Sequence, residues 1–309
     1  MTTLLVTHPD CIAHDPGHGH PEAPARLSAV LAALKEPQFA GLVRLEAPLG
    51  DDADIARVHG PAFAPSVMAR VPQHGHAALD ADTILSPGSG KAAMRAVGAV
   101  TAALDAVIAG KARNAFCAIR PPGHHAEPER AMGFCLFNSI AVAARRAQGV
   151  HRIGRVAIVD FDVHHGKGTQ AVAERDPSLF FASSHQYPLY PGTGSADEAG
   201  AGNIVNVPLR SGTEGGCFRR AFEARILSAL DAFAPELILV SAGFDAHRAD
   251  PLAGLELEEE DFAWVTQRLT EAAARHAQGR LISVLEGGYD LRALAGSAAA
   301  HVAALMKAN

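Results

Sequence analysis

Four short segments carry side chains of the kinds that hold metals and move protons. Asp160, Asp162 and His164 stand two residues apart. Alternate side chains of extended chain share a face, so two carboxylates and an imidazole would point one way. That donor set suits a divalent metal with N and O ligands, and a catalytic zinc site needs three protein ligands and an open position. Asp162, His164 and Asp245, the last in Ser241-Ala242-Gly243-Phe244-Asp245, would supply the three. Pro121-Pro122-Gly123-His124-His125 presents paired imidazoles behind a stiff approach. A His pair facing an activated water can act as general base and acid. Tyr289 follows Gly287-Gly288, and a neutral phenol can donate to a developing oxyanion, typically worth ~3–4 kcal/mol. Gly133-Phe134 and the loop 187–194 with Tyr190 offer two rings that could face each other across a narrow apolar slot. Each segment alone also has an ordinary reading: solvated acids on a half-exposed strand, loop histidines without a role, aromatics capping the core.

The positioning elements weigh against those ordinary readings. Apolar runs of strand length lie at 4–6, 116–119, 156–159, 179–182, 204–207, 237–240 and 281–285. Between them, 26–34, 91–108, 139–148, 218–233, 258–278 and 291–306 show helical periodicity. Continuous apolar strands separated by helices predict a mostly parallel sheet covered on both faces. The chain therefore reads as one doubly wound α/β domain over 1–309. Ligands of such sheets bind beyond the carboxyl ends of the strands. The His pair, the Asp160–His164 segment, Asp245 and Tyr289 each directly follow one of these runs, so one rim would carry all four.

Composition bounds the function. The 309 residues are 48% hydrophobic and 19% charged, with a formal net charge of −6, which describes a folded rather than a disordered chain. No basic face supplies the counterion-release term of nucleic-acid binding, so no nucleic-acid partner is expected. Cys11, Cys117, Cys135 and Cys217 have neither disulfide-framework nor structural-zinc spacing. No uncharged apolar run approaches the ~18 residues of a membrane span. No signal peptide is read at the N-terminus, and the cytoplasm is the expected location.

Residues 121–125, Asp160-Phe161-Asp162-Val163-His164-His165-Gly166, Tyr190-Pro191-Gly192-Thr193-Gly194, 241–245 and Glu286-Gly287-Gly288-Tyr289 together resemble the zinc-dependent histone deacetylases. They are most similar to the class II-type bacterial deacetylase-like amidohydrolases; His20-Pro21-Glu22 and Arg26-Leu27 also fit. The resemblance implies an arginase-like α/β fold with a central eight-stranded parallel sheet. It implies zinc on Asp162, His164 and Asp245, catalysis by His124, His125 and Tyr289, and Asp160 accepting from His124. It also implies a structural potassium near Asp160, Asp162, His164, Ser183 and Ser184. Gly133, Phe134 and Tyr190 would line the tunnel for the stem of an acylated lysine, with Asp82 at its rim. Zinc and iron(II) both suit such a ligand set.

Two positions depart from the resemblance or refine it. Lys167 stands where relatives carry Asp or Asn to accept from the second histidine, and an ammonium has donors only. Beside His125 it would disfavour the imidazolium; pointing to solvent it would leave that contact to water. Leu252 stands where polyamine-selective relatives carry a Glu, which leans toward an acyl-lysine peptide or protein and away from an acylated polyamine or other small amine. The acetylpolyamine deacetylase stays as the alternative. A two-manganese arginase-like enzyme lacks the acid it needs two residues after Asp245, where His247 stands. A non-catalytic acyl-lysine binder has nothing in its favour while the metal set, both histidines and Tyr289 are present. Asp10, His14, Asp15, His18 and His20 read as a polar rim loop rather than a second metal site. His185 receives no role, and His247 is either near the site or structural.

Overall fold

The computed structural model describes residues 2–308. Its strands are β1 (Thr3–Thr7), β2 (Val43–Glu46), β3 (Ala77–Ala78), β4 (Ile84–Leu85), β5 (Asn114–Cys117), β6 (Val156–Asp160), β7 (Leu179–Gln186), β8 (Ile204–Leu209), β9 (Leu237–Ala242) and β10 (Leu281–Leu285). Eight of them form a parallel sheet in the order β2-β1-β5-β10-β9-β6-β7-β8, and β3 and β4 make a small antiparallel ribbon. Every residue of β5, β6, β7, β9 and β10 is buried. Such strands must be covered on both faces, which explains why they read as unbroken apolar runs. Helices Ser89–Ile108 and Ser139–Gly149 pack together in one layer, and Pro24–Ala33, Glu259–His276 and Leu291–Lys307 in another.

The apolar runs account for seven sheet strands, and the structure adds β2. All four of its residues are exposed, so an edge strand without an apolar run was not legible. The helix expected over 218–233 is interrupted: a π-helical segment, Phe222–Leu227, separates Gly215–Ala221 from Ser228–Phe233. Short helices Asp52–Ile55, Phe63–Ala69 and Lys167–Ala173 were not marked by periodicity either.

The strand order places the chemistry. β5, β6, β9 and β10 lie far apart in the chain but are consecutive neighbours in the sheet, as β5-β10-β9-β6. Their carboxyl ends therefore form one continuous edge at the middle of the sheet. Helix caps fix the segments leaving it. Asp290, next to Tyr289, caps Leu291–Lys307 by accepting from Arg292 N and Ala293 N, a contact worth ~1 kcal/mol. Asn138 caps Ser139–Gly149 through Ala141 N, and its amide donates to Ala126 O behind the His pair.

Candidate active site

At the centre of this edge, Asp162, His164 and Asp245 converge. One ligand atom from each lies within 4.8 Å of the other two. His164 Nδ1 is 3.3 Å from Asp162 Oδ1 and 3.2 Å from Asp245 Oδ2. The sequence reading of this segment needs one correction. β6 ends at Asp160, so Asp160, Asp162 and His164 do not share a strand face. Past the strand, carboxylates replace the ladder: Asp160 Oδ1 accepts from Asp162 N, and Asp162 Oδ1 from His164 N. The turn sends Asp160 toward the His pair and the other two toward Asp245.

Backbone amides and glycines hold the carboxylates. Asp162 Oδ2 accepts from Gly287 N at 2.8 Å and Asp245 Oδ1 from Val163 N at 2.9 Å. A Cβ on Gly243 would lie 2.0 Å from Asp162 Oδ2, and one on Gly287 2.0 Å from Asp245 Oδ2. Burial and the neighbouring Asp162 charge push Asp245 up to about 7. Burial opposes the charge on His164, but hydrogen bonds to Asp162 and Asp245 raise it to about 10. Two buried carboxylates are thus crowded around one imidazole, a charge pattern that a divalent cation would neutralise. The donor set fits zinc.

The paired imidazoles stand alongside, their ring centroids 4.0 Å apart. His124 Nδ1 is 2.8 Å from Asp160 Oδ2. Burial alone would depress His124, but the Asp160 and Asp162 charges hold it well above the usual histidine range. His125 goes the other way, pushed well down by burial and by the positive charges of His124 and His164. Its Nδ1 is buried without a hydrogen-bond partner. Lys167 does not face it: the ammonium lies 3.1 Å from Glu127 Oε1. The ammonium considered from the sequence as a neighbour of His125 is engaged by a carboxylate, and His125 Nδ1 accepts nothing from it. A flexible lysine reaches the half-exposed acid instead of a buried ring that would cost it its hydration.

Tyr289, half-buried, faces the same space and makes an edge contact with Phe134 at 5.9 Å. Arg26 holds the turn before it, donating to Glu286 O and Gly288 O, with its guanidinium 4.8 Å from the phenol ring. Gly288 has φ +122°, open to glycine at no steric cost. Glu286 Oε2 accepts from Gly123 N and His124 N, joining the Tyr289 segment to the His pair.

Asp82, His125, Gly133, Phe134, His164, Leu189, Tyr190, Leu252 and Tyr289 line one cavity of about 230 Å³. Thus Gly133, Phe134, Tyr190, Leu252 and Asp82 all reach the site. His125 and Tyr190 meet edge-on at 5.2 Å. Gly133 has φ +57°, and a Cβ there would lie 2.5 Å from His125 Cδ2. At the mouth, His20 contacts the Phe134 ring and Asp82 O. Ser183 and Ser184 sit on β7, where Ser183 pairs in register with Asp160; Ser184 Oγ is buried without a partner.

The other expected residues separate. His14 is buried against Glu22 and Ser89, Asp10 pairs with Arg95 and Lys91, and His18 is exposed. Among the described residues, Asp162, His164 and Asp245 form the one group with metal-ligand proximity. His185 ties Ser183 Oγ to Gly194 O, and His247 accepts from Ala249 N inside its own loop. Sequence reasoning gave no role to Glu22 or Asp250. Buried Glu22 binds Arg26 and Arg120 beneath the site. An acid inside the otherwise apolar turn 250–254 was the signal available for Asp250.

Comparison with known proteins places the chain in a family. Residues 20–305 match the histone deacetylase domain. The chain belongs to the histone deacetylase family. It is 41% identical over 277 residues to a histone deacetylase-like amidohydrolase of Pseudomonas aeruginosa, covering 88% of this chain and 73% of that one. It is 36% identical over 300 residues to a probable deacetylase of Archaeoglobus fulgidus, covering 94% and 82%. The crystal structure of the HDA15 HD domain superposes with a TM-score of 0.94 at 34% identity, covering 99% of this chain and 88% of that one. No helix among the described residues is long and apolar enough to cross a membrane.

Proposed function

We propose that this protein is a zinc-dependent amidohydrolase that removes acetyl or other acyl groups from lysine side chains. One observation carries the reading: a cavity with mostly apolar walls is lined by His164 of the three-donor group, by His125 of the imidazole pair and by the Tyr289 phenol, with Asp162, Asp245 and His124 immediately behind. Asp162, His164 and Asp245 would hold the metal. A zinc ion there supplies Lewis acidity, polarising an amide carbonyl and making water a competent nucleophile near neutral pH.

The residues divide the remaining work. His125, kept neutral, accepts a proton from the attacking water. Tyr289, its phenol held protonated chiefly by burial, donates to the oxyanion that forms as oxygen adds to the carbonyl. His124, whose protonated form Asp160 favours, gives a proton to the departing nitrogen as the C–N bond breaks. The products are a carboxylate and a free amine. Phe134 and Tyr190 take the aliphatic stem and exclude water, and Asp82 receives the polar part of the substrate at the mouth. Leu252 offers no charge to a second ammonium, so the reading favours acyl-lysine over acylpolyamine. Asp160, Asp162, His164, Ser183 and Ser184 would carry a structural potassium; the unpartnered Ser184 hydroxyl supports that assignment.

The test is the deacylation rate of metal-stripped and zinc-restored protein, offered an acetyl-lysine peptide and an acetylpolyamine side by side. Zinc-restored turnover favouring the peptide is expected. Preference for the polyamine would keep the chemistry and overturn the substrate. No turnover of either by zinc-loaded protein would overturn the reading for acetyl groups and turn the search to longer acyl chains.

A further inference from the structure

Asp250 lies outside the chemistry described so far, yet its buried carboxylate joins two walls of the cavity. Oδ2 accepts from Tyr289 N at 2.7 Å, and Oδ1 accepts from Leu252 N at 3.0 Å. Tyr289 and Leu252 both line the cavity. They belong to different segments, the turn after β10 and the loop after β9. The loop is itself anchored: Asp250 N donates to His247 O, and Gly254 N donates to Gln186 Oε1 at 2.7 Å. The Tyr289 turn is held by Arg26 on its carbonyls, which leaves the Tyr289 amide to Asp250.

We propose that Asp250 is a positioning residue that sets the Tyr289 phenol against the Leu252 wall, so that one carboxylate fixes both the oxyanion donor and the specificity side of the tunnel. The inference rests on the hydrolase reading above. An ionised acceptor is stronger and more directional than a neutral one, and its two oxygens address two amides at once. Gly287 and Gly288 before Tyr289 bring no side chains of their own to hold the turn, so backbone hydrogen bonds set it, and the Asp250 contact is the one made at the Tyr289 amide itself. A donor that is displaced by a fraction of an ångström loses much of its transition-state advantage.

The experiment is a double-mutant cycle on zinc-loaded protein with an acetyl-lysine peptide. Asp250→Asn keeps the shape and one carbonyl acceptor but loses the charge; Asp250→Ala removes both contacts. Asp250→Asn is expected to lower kcat about tenfold in the parent, as the loss of a charge-assisted bond would. In a Tyr289→Phe background it should lower kcat less than twofold, because the group it aims is already gone. A rise in KM should persist in that background and vanish in Leu252→Ala. Hydrogen exchange gives a readout independent of activity: the amides of 287–290 and of Leu252 and Ala253 should exchange faster in Asp250→Asn, with other segments unchanged.

An equal loss of kcat with and without the Tyr289 hydroxyl would overturn the proposal and make Asp250 a loop-folding residue. Unchanged exchange at both segments would overturn it as well, and decides alone if Tyr289→Phe is too slow to assay or Asp250→Ala does not fold. A parent protein without deacylase activity, whose two segments nevertheless loosen in Asp250→Asn, would sink the hydrolase reading and with it the catalytic purpose of the tie. Exchange unchanged in an active parent sinks the positioning role alone.

Discussion

His124 and Asp160 form a buried pair, Nδ1 to Oδ2 at 2.8 Å, whereas the adjacent His125 has no partner on its Nδ1. Two imidazoles with ring centroids 4.0 Å apart are thus shifted in opposite directions: against its burial, His124 is raised by the Asp160 and Asp162 charges, while burial and the neighbouring positive charges lower His125. Asp160→Ala leaves His124 without its counter-charge and should lower kcat by about a hundredfold, within the ~10²–10⁴-fold that a positioned general acid contributes. Steady-state rates alongside a melting curve would check this. A loss of less than fivefold in a folded variant would count against a catalytic role for the pair.

Tyr289→Phe removes only a hydroxyl. If that hydroxyl supports the oxyanion, kcat should drop about 10²–10³-fold while KM changes little. A KM rise at constant kcat would instead make Tyr289 a substrate-binding wall.

Lys167 sits on Glu127 rather than against His125. Lys167→Met should therefore leave the pH–rate profile in place and cost at most ~1 kcal/mol of stability, as partly exposed ion pairs do. A displaced acid limb in the profile would show that the ammonium acts on the His pair.

Gly133 is required twice, by φ +57° and by the 2.5 Å approach of its missing Cβ to His125. Gly133→Ala should abolish most deacylation by displacing His125 or the Phe134 wall. The strain should cost about 1–3 kcal/mol of stability. Full activity in the alanine variant would contradict the geometry.

His301 is buried among Phe116, Phe161 and Phe244 and bonded to Thr266 and Ser283. Burial lowers it from 6.5 to about 3, and lowers His59 to about 4. Below pH ~6.5 the unfolded chain binds protons that the folded one does not, so stability falls as pH drops toward 3. Each such histidine contributes up to ~1.4 kcal/mol per pH unit. Denaturant melts from pH 7 to 4 should show that slope, and His301→Asn should flatten it. An unchanged slope would mean that His301 is not excluded from protonation.

The sequence by itself determined the layer architecture and named the side chains available for chemistry. Strands buried on both faces must be apolar throughout, so β5, β6, β9 and β10 announced themselves. The polar residues at their carboxyl ends followed at fixed offsets, naming Asp162, His164, Asp245, the His pair and Tyr289. The edge strand β2 escaped because exposed residues leave no apolar run. Only the tertiary structure decided which segments touch. The sheet order makes β5, β10, β9 and β6 neighbours across as many as 167 residues of chain (114 to 281), and hydrogen bonds between distant segments have no local pattern to betray them. Glu286 reaching Gly123, Lys167 choosing Glu127, and Asp250 joining Leu252 to Tyr289 all depend on where loops end in space. Side-chain type and spacing say what a residue can do; the packing of loops from separate strands sets what it is next to.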